Sequence, residues 1–116
     1  MIKKVFRLNQ NEVKKVLKYG KPFFSYWIIM NQVENNLLYN RFAIIISEKS
    51  VINNVSRIFF RRLFYDLVRI NINSVKWKDL VFIVKKQIKL DKKDSLSIKA
   101  FENDILFLLK KINYER

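Results

Sequence analysis

The 116-residue chain is long enough for one domain with a real core, and half of its residues are hydrophobic or aromatic, which argues against disorder. Against 10 acidic residues stand 24 lysines and arginines, a net charge of +14 that solubility alone does not ask for, so a polyanionic partner is the simplest explanation. With no cysteine and no histidine, disulfides, thiolate chemistry, zinc ligation by those residues and imidazole catalysis are excluded, and a reducing, cytoplasmic setting is expected.

The N-terminus MIKKVFRL is basic but leads into no apolar segment of signal-peptide length. The longest apolar runs, Ile28–Met30 and Ala43–Ile46, fall far below the roughly twenty residues of a membrane span. A soluble, unprocessed chain with no membrane partner is the expectation. Its one Gly and one Pro lie together in YGKP, Tyr19–Pro22, so no linker, repeat or low-complexity tract divides it.

A first helix is expected from an N-cap at Asn9 or Asn11 to Gly20, with Val13, Val16 and Leu17 at helical spacing and Lys14, Lys15 and Lys18 on the other side. FFSYWIIM, Phe23–Met30, is rich in aromatic and β-branched residues and reads as a strand or two short strands. The polar stretch NQVENN then reads as a turn and LLYNRFAIIIS, Leu37–Ser47, as a second strand, suggesting an antiparallel hairpin. From about Val51 to Ile70 runs a long helix in which Ile52, Val55, Phe59, Leu63 and Leu67 recur every three or four residues, as a buried face requires. LVFIV, Leu80–Val84, between charged flanks, suits a strand buried on both faces. Asp94 or Ser95 caps a last helix with the apolar stripe Ile98, Phe101, Ile105, Leu108, Leu109 and Ile112.

On the central helix Arg57, Arg61, Arg62, Tyr65 and Arg69 fall opposite Ile52, Phe59 and Leu63, forming one face balanced only by Asp66. Guanidinium groups grouped in this way suit phosphates, although a charged outer face is also the ordinary solvated back of an amphipathic helix. An AT-rich genome would inflate lysine without any binding purpose, but not these arginines. No protein active site can be assembled: the closest carboxylate pairs, Asp91 with Asp94 and Glu102 with Asp104, sit where capping and solvation are the default roles.

The succession of FRL at Phe6–Leu8, NEVKKVLKYG, the two strands, SEKSVINNVSRIFFRRLFYDLVR and DLVFIVKK resembles the bacterial ribonuclease P protein component over nearly the whole chain. In that family an R-L pair precedes a helix ending in Gly, and a strand leads into S-K-K. A helix then carries R-N-R-x-K-R-x-x-R-E ahead of an acid and a hydrophobic strand. Arg7 and Leu8 match the R-L pair, Gly20 the helix end, Ser47 and Lys49 the S-K-K, Arg57 the first Arg, Arg61 and Arg62 the K-R pair, and Asp66 and Asp79 the two acids. Ile58, Phe59, Tyr65 and Glu48 depart from the pattern, standing where the family has Asn, Arg, Arg and Lys. Ile58 projects to the arginine side, where an apolar residue gains little in a monomer, so RNA or a neighbouring subunit covers it or it is drift.

The resemblance implies an α+β fold, the small α/β sandwich of the ribosomal-protein-domain type, order α-β-β-(β)-α-β-α with a left-handed crossover helix. Residues 1–116 would form a single RNA-binding domain, monomeric within a ribonucleoprotein. It implies an accessory subunit of a tRNA 5′-processing endoribonuclease whose chemistry is carried by RNA, with ribonuclease P RNA and precursor tRNA as partners. Mg²⁺ would be held mainly by the RNA and none tightly by the protein. RNA-binding residues would be Arg7, Lys49, Asn53, Arg57, Arg61, Arg62 and Arg69. A cleft for the precursor-tRNA 5′ leader would draw on Val13, Leu17, Phe24, Tyr26 and Asn31, with aromatic rings stacking on unpaired bases. Two other readings are a basic RNA-binding module of ribosomal or ribosome-assembly type, and an interaction protein that has lost the catalytic partnership.

Overall fold

Asn9, not Asn11, starts the first helix in the computed structural model, which describes residues 3–51, 53–69 and 77–114. Its side-chain oxygen accepts from the Glu12 N–H at 2.8 Å and the Glu12 carboxylate accepts from the Asn9 N–H at 2.8 Å, a reciprocal capping box. Helix α1 (Gln10–Tyr19) buries Val16 and ends at Gly20. The Gly20 backbone is extended, with φ −75°, so left-handed geometry is not what demands glycine there. Close approach is: a Cβ at this position would lie 2.4 Å from the Val16 carbonyl oxygen and 3.3 Å from that of Gln32.

Four strands follow: β1 (Lys21–Phe24), β2 (Ile28–Glu34), β3 (Arg41–Ile45) and, after helix α2 (Asn54–Val68), β4 (Lys78–Val84). They form one sheet in the order β1-β2-β4-β3. FFSYWIIM is thus two strands, and β1 and β2 make the antiparallel hairpin, with Phe24 opposite Ile29. The expected antiparallel hairpin of FFSYWIIM with LLYNRFAIIIS is incorrect, because β4 lies between β2 and β3. NQVENN is no turn, since Asn31–Glu34 belong to β2, and only Arg41–Ile45 of the later stretch is strand. β4 lies between β2, to which it is antiparallel, and β3, to which it is parallel. Its near-complete burial explains why: a strand apolar on both faces is most stable with a neighbour on each side.

Among the described residues, helix α3 (Ser95–Tyr114) ends the order α-β-β-β-α-β-α, which a 3-10 turn at Lys4–Phe6 precedes. Asp94 caps it by accepting from the Leu96 N–H at 3.0 Å and the Ser97 hydroxyl at 3.1 Å. Phe101, Ile105, Leu108 and Leu109 are buried and Ile98 packs beside them, as the stripe requires, while the Ile112 side chain lies outside the described residues.

The sheet separates two apolar layers. On one face α1 sets Val16 on Ala43 and Val81, with Leu8, Val13, Val33, Ile45 and Ile83 around them. On the other, α2 and α3 cover Ile28, Met30, Phe42, Ile44, Leu80 and Phe82. Ring contacts knit this larger core, with Phe60 on Phe101 at 5.2 Å and Phe64 on Phe82 at 5.0 Å, both in edge geometry.

The buried seam of α2 is rotated from the expected one. Ser56, Phe60, Phe64, Tyr65 and Val68 are buried, whereas Phe59, Leu63 and Leu67 are half-buried shoulders and Val55 is 57% exposed. Ile52 and Ile70 lie outside the described residues. Phenylalanines at 59, 60 and 64 give an apolar arc too broad for periodicity to find its centre, and the sheet picks the Phe60 side.

Candidate nucleic-acid interface

Asn53 caps α2, its side-chain oxygen accepting from the Ser56 N–H at 2.8 Å, so its carbonyl oxygen has a structural task whatever the exposed amide group does. Arg57, one turn in, is half-buried and turns back to the helix start. One guanidinium nitrogen donates to the Val51 carbonyl at 3.2 Å and another to the Asn54 side chain at 3.3 Å. Arg61, Arg62 and Arg69 project outward and are exposed. Lys49, in the loop before the helix, is exposed too, and its carbonyl accepts from the Lys89 ammonium at 2.5 Å.

Tyr65 does not share that outer face as expected. It is only 7% exposed, and burial pushes its phenol above its ordinary pKa, with Arg61 and Arg7 pulling it partly back. Arg7 is held there by the chain before α1, which bridges to β3 through Arg7 and Phe42 and bonds Leu8 N–H to the Phe42 carbonyl at 2.9 Å. The structure thus gathers Arg7 and Arg61, remote in sequence, around one buried tyrosine. Periodicity within α2 carries no sign of the N-terminal strap that bears Arg7.

The opposite face of the sheet carries the second candidate surface. Strand registers align Phe24, Ile29, Ile83 and Ile45 as one row across β1, β2, β4 and β3. The next row is Pro22, Asn31, Val81 and Ala43, on which α1 sits. In the first row Phe24 is 62% exposed and the other three are half-buried, so an apolar strip stays open to solvent. Leu17 is 42% exposed beside buried Val16, Val13 is half-buried in the α1 layer, and Asn31 lies under Gly20, its Cβ at 3.4 Å from where a Cβ there would be. Tyr26, in the β1–β2 turn, is 78% exposed, while Phe23 and Trp27 pack on the core. The Lys18 ammonium sits over the Tyr19 ring at 5.3 Å, while on the other face of the sheet the Lys21 ammonium sits over the Phe23 ring at 5.4 Å. Tyr19, 65% exposed, is an aromatic that the sequence reading left out.

Acidic residues serve the scaffold. Asp79 accepts two hydrogen bonds from Arg41, at 2.8 and 2.7 Å, and one from the Asn35 amide at 2.8 Å. Arg41 also pairs with Glu12 of α1, and the hydrogen bonds it donates to Asp79 raise its already high pKa further, so it is always charged. Asp104 of α3 reaches the β1–β2 turn, accepting from the Trp27 N–H at 2.6 Å and the Ser25 hydroxyl at 2.9 Å. Among the described residues no three carboxylates converge in a way that could hold a metal ion, and no helix is long and apolar enough to cross a membrane.

The family model for ribonuclease P matches residues 1–113. The ribonuclease P protein component of Alkaliphilus metalliredigens is 31% identical over 108 residues, covering 91% of this chain and 92% of that protein. Two solved structures share the fold. The RNase P protein of Staphylococcus aureus superposes with a TM-score of 0.74 at 18% identity, over 92% of this chain and 94% of its own. That of Thermotoga maritima gives 0.69 at 22% identity, over 90% and 96%.

Proposed function

The chain belongs to the ribonuclease P protein component family, the protein subunits of a tRNA-processing ribonuclease, and on that premise we propose how it works with RNA. It binds the catalytic RNA through α2 and the strap before α1, as one RNA-binding domain that is monomeric within a cytoplasmic ribonucleoprotein. The observation that carries this reading is the exposed row Arg61, Arg62 and Arg69 along α2, with Arg7 fixed beside β3 by the strap. Arginine forks match phosphate oxygens in pairs, and a surface built from two remote segments is held in one geometry.

The open row from Phe24 to Ile45, together with Tyr26 of the adjoining turn and exposed Leu17 of α1, receives the precursor-tRNA 5′ leader. Rings stack on unpaired bases there without reading sequence, and Lys18 meets the backbone. The chemistry of 5′ cleavage belongs to Mg²⁺ held by the RNA. The protein raises the local affinity for that cation by fixing RNA and leader together.

Reconstitution tests the reading. The chain combined with ribonuclease P RNA from the same genome should raise 5′ cleavage of precursor tRNA at low Mg²⁺. Arg61→Ala and Arg62→Ala should each flatten the salt dependence of RNA affinity by about one phosphate. A chain that binds RNA but leaves cleavage unchanged would instead be a basic module of ribosomal type.

A further inference from the structure

Val55, Ile58, Phe59, Arg62, Leu63 and Asp66 recur on α2 at spacings of three and four, so they form one stripe along the helix. With Lys92, from the chain ahead of α3, they line an open groove of about 510 Å³. Its floor is apolar, yet Val55 is 57% and Ile58 44% exposed. Phe59 leans on Phe60 at 5.2 Å in edge geometry, which fixes its ring at the groove wall. A helix shoulder of this kind normally carries polar residues, because solvent-facing apolar groups return nothing to a lone chain.

We propose that this groove seats an unpaired nucleobase of the RNA partner, with the flanking phosphates at Arg62 and Lys92. The inference rests on the RNA-binding reading above and adds a contact of a different physical kind. Charge selects the occupant. A second copy of the chain brings the same net charge of +14 to a groove edged by cations and is repelled, whereas RNA brings the opposite sign. Within the groove, Asp66 opposes a phosphate, so the base enters and the phosphates stay at the rim. The volume falls within the roughly 300–1,000 Å³ of sites that take small organic ligands. An apolar wall and one fixed ring suit a planar base, which loses water on both faces when it enters.

Apolar seating and phosphate contact leave different marks on salt dependence, because only the latter releases counterions. The full chain is bound to ribonuclease P RNA transcribed with 4-thiouridine in place of uridine, and affinity is titrated against salt. Ile58→Ser should weaken binding roughly 5- to 30-fold at every salt concentration, leaving the slope unchanged, whereas Ile58→Val retains affinity. Ultraviolet crosslinks should map to the peptide from Val55 to Leu63 and fade in Ile58→Ser. Ile58 is on the surface, so circular dichroism and the urea midpoint of Ile58→Ser should match those of the parent chain. If Ile58→Ser binds RNA as the parent does, the base-seating inference fails while the phosphate reading stands, and an acidic protein segment becomes the better occupant. If the parent chain itself does not bind the RNA, the underlying reading fails.

Discussion

Replacing Arg41 by methionine should cost about 3 kcal/mol of folding stability. The guanidinium donates twice to Asp79, at 2.8 and 2.7 Å, and pairs with Glu12, and the side chains of Arg41 and Asp79 are only 18% and 12% exposed. Truncating one partner of a buried pair costs about 3–5 kcal/mol, because the remaining charge is left desolvated and alone. Two features reduce that here: Asp79 keeps the Asn35 amide at 2.8 Å, and residual exposure lets water reach it. Methionine keeps the stem packing, so the loss reports charge and hydrogen bonds. A chain of 116 residues has roughly 6–17 kcal/mol in total at about 0.05–0.15 kcal/mol per residue, so the variant still folds. Urea unfolding followed by far-ultraviolet circular dichroism, at constant m-value, gives the difference. Asp79→Leu should cost a similar amount, and the double variant much less than the sum. A loss below about 1 kcal/mol for Arg41→Met, or strict additivity in the double variant, would refute the claim that this pair ties β3 to β4.

Asp104→Ala removes the acceptor of the Trp27 N–H and the Ser25 hydroxyl, so it should cost about 2 kcal/mol and speed hydrogen exchange at the Trp27 amide before the rest of the sheet. Equal exchange in both proteins would show that the turn holds its shape unaided. Gly20→Ala places a methyl 2.4 Å from the Val16 carbonyl, against backbone that cannot swing aside, and should lower stability by about 1–3 kcal/mol. An unchanged melting temperature would mean that the end of α1 relaxes freely. Tyr65 has a folded-state pKa above its ordinary value near 10, so its neutral phenol contributes stability that is complete below pH 10 and is lost as the pH rises toward the folded value. Tyr65→Phe should therefore soften the fall in urea midpoint between pH 9 and pH 11, and an identical fall in both proteins would contradict the burial argument.

Elements whose identity is set by local composition were legible from sequence. β4 is apolar at successive positions between charged flanks, and a strand of that kind has only the middle of a sheet to go to. The stripe of α3 follows from spacing alone, whereas spacing does not decide between Asn9 and Asn11 as the N-cap of α1. Which strand neighbours which was not legible, because β2 and β3 each pair with a segment that comes later in the chain. Tyr65 was misplaced for a related reason: it belongs to the core beside Phe64, on the side of α2 that the sheet and α3 select, and spacing within α2 does not show which side that is. The ion pairs of Arg41 were not legible, because its partners are 38 and 29 residues away. The exposure of Phe24 agrees with strand alternation and that of Tyr26 follows from its place in the β1–β2 turn, while the groove beside Ile58 depends on where the loop carrying Lys92 passes.

The late arrival of β4 has a consequence for synthesis on the ribosome. β3 ends at Ile45 and β4 at Val84, so at about 5–20 residues per second the two flanking strands wait roughly 2–8 seconds for the strand that joins them. During that interval β2 and β3 each present an open edge, and both carry apolar side chains that have no partner yet. The nascent chain is therefore most exposed to mispairing until Val84 has been made. A fragment ending before Lys78 keeps the hairpin and both early helices in sequence but has no strand to join β2 to β3. Folding of this molecule is thus a closing event near its C-terminal third rather than a growth from its N-terminus.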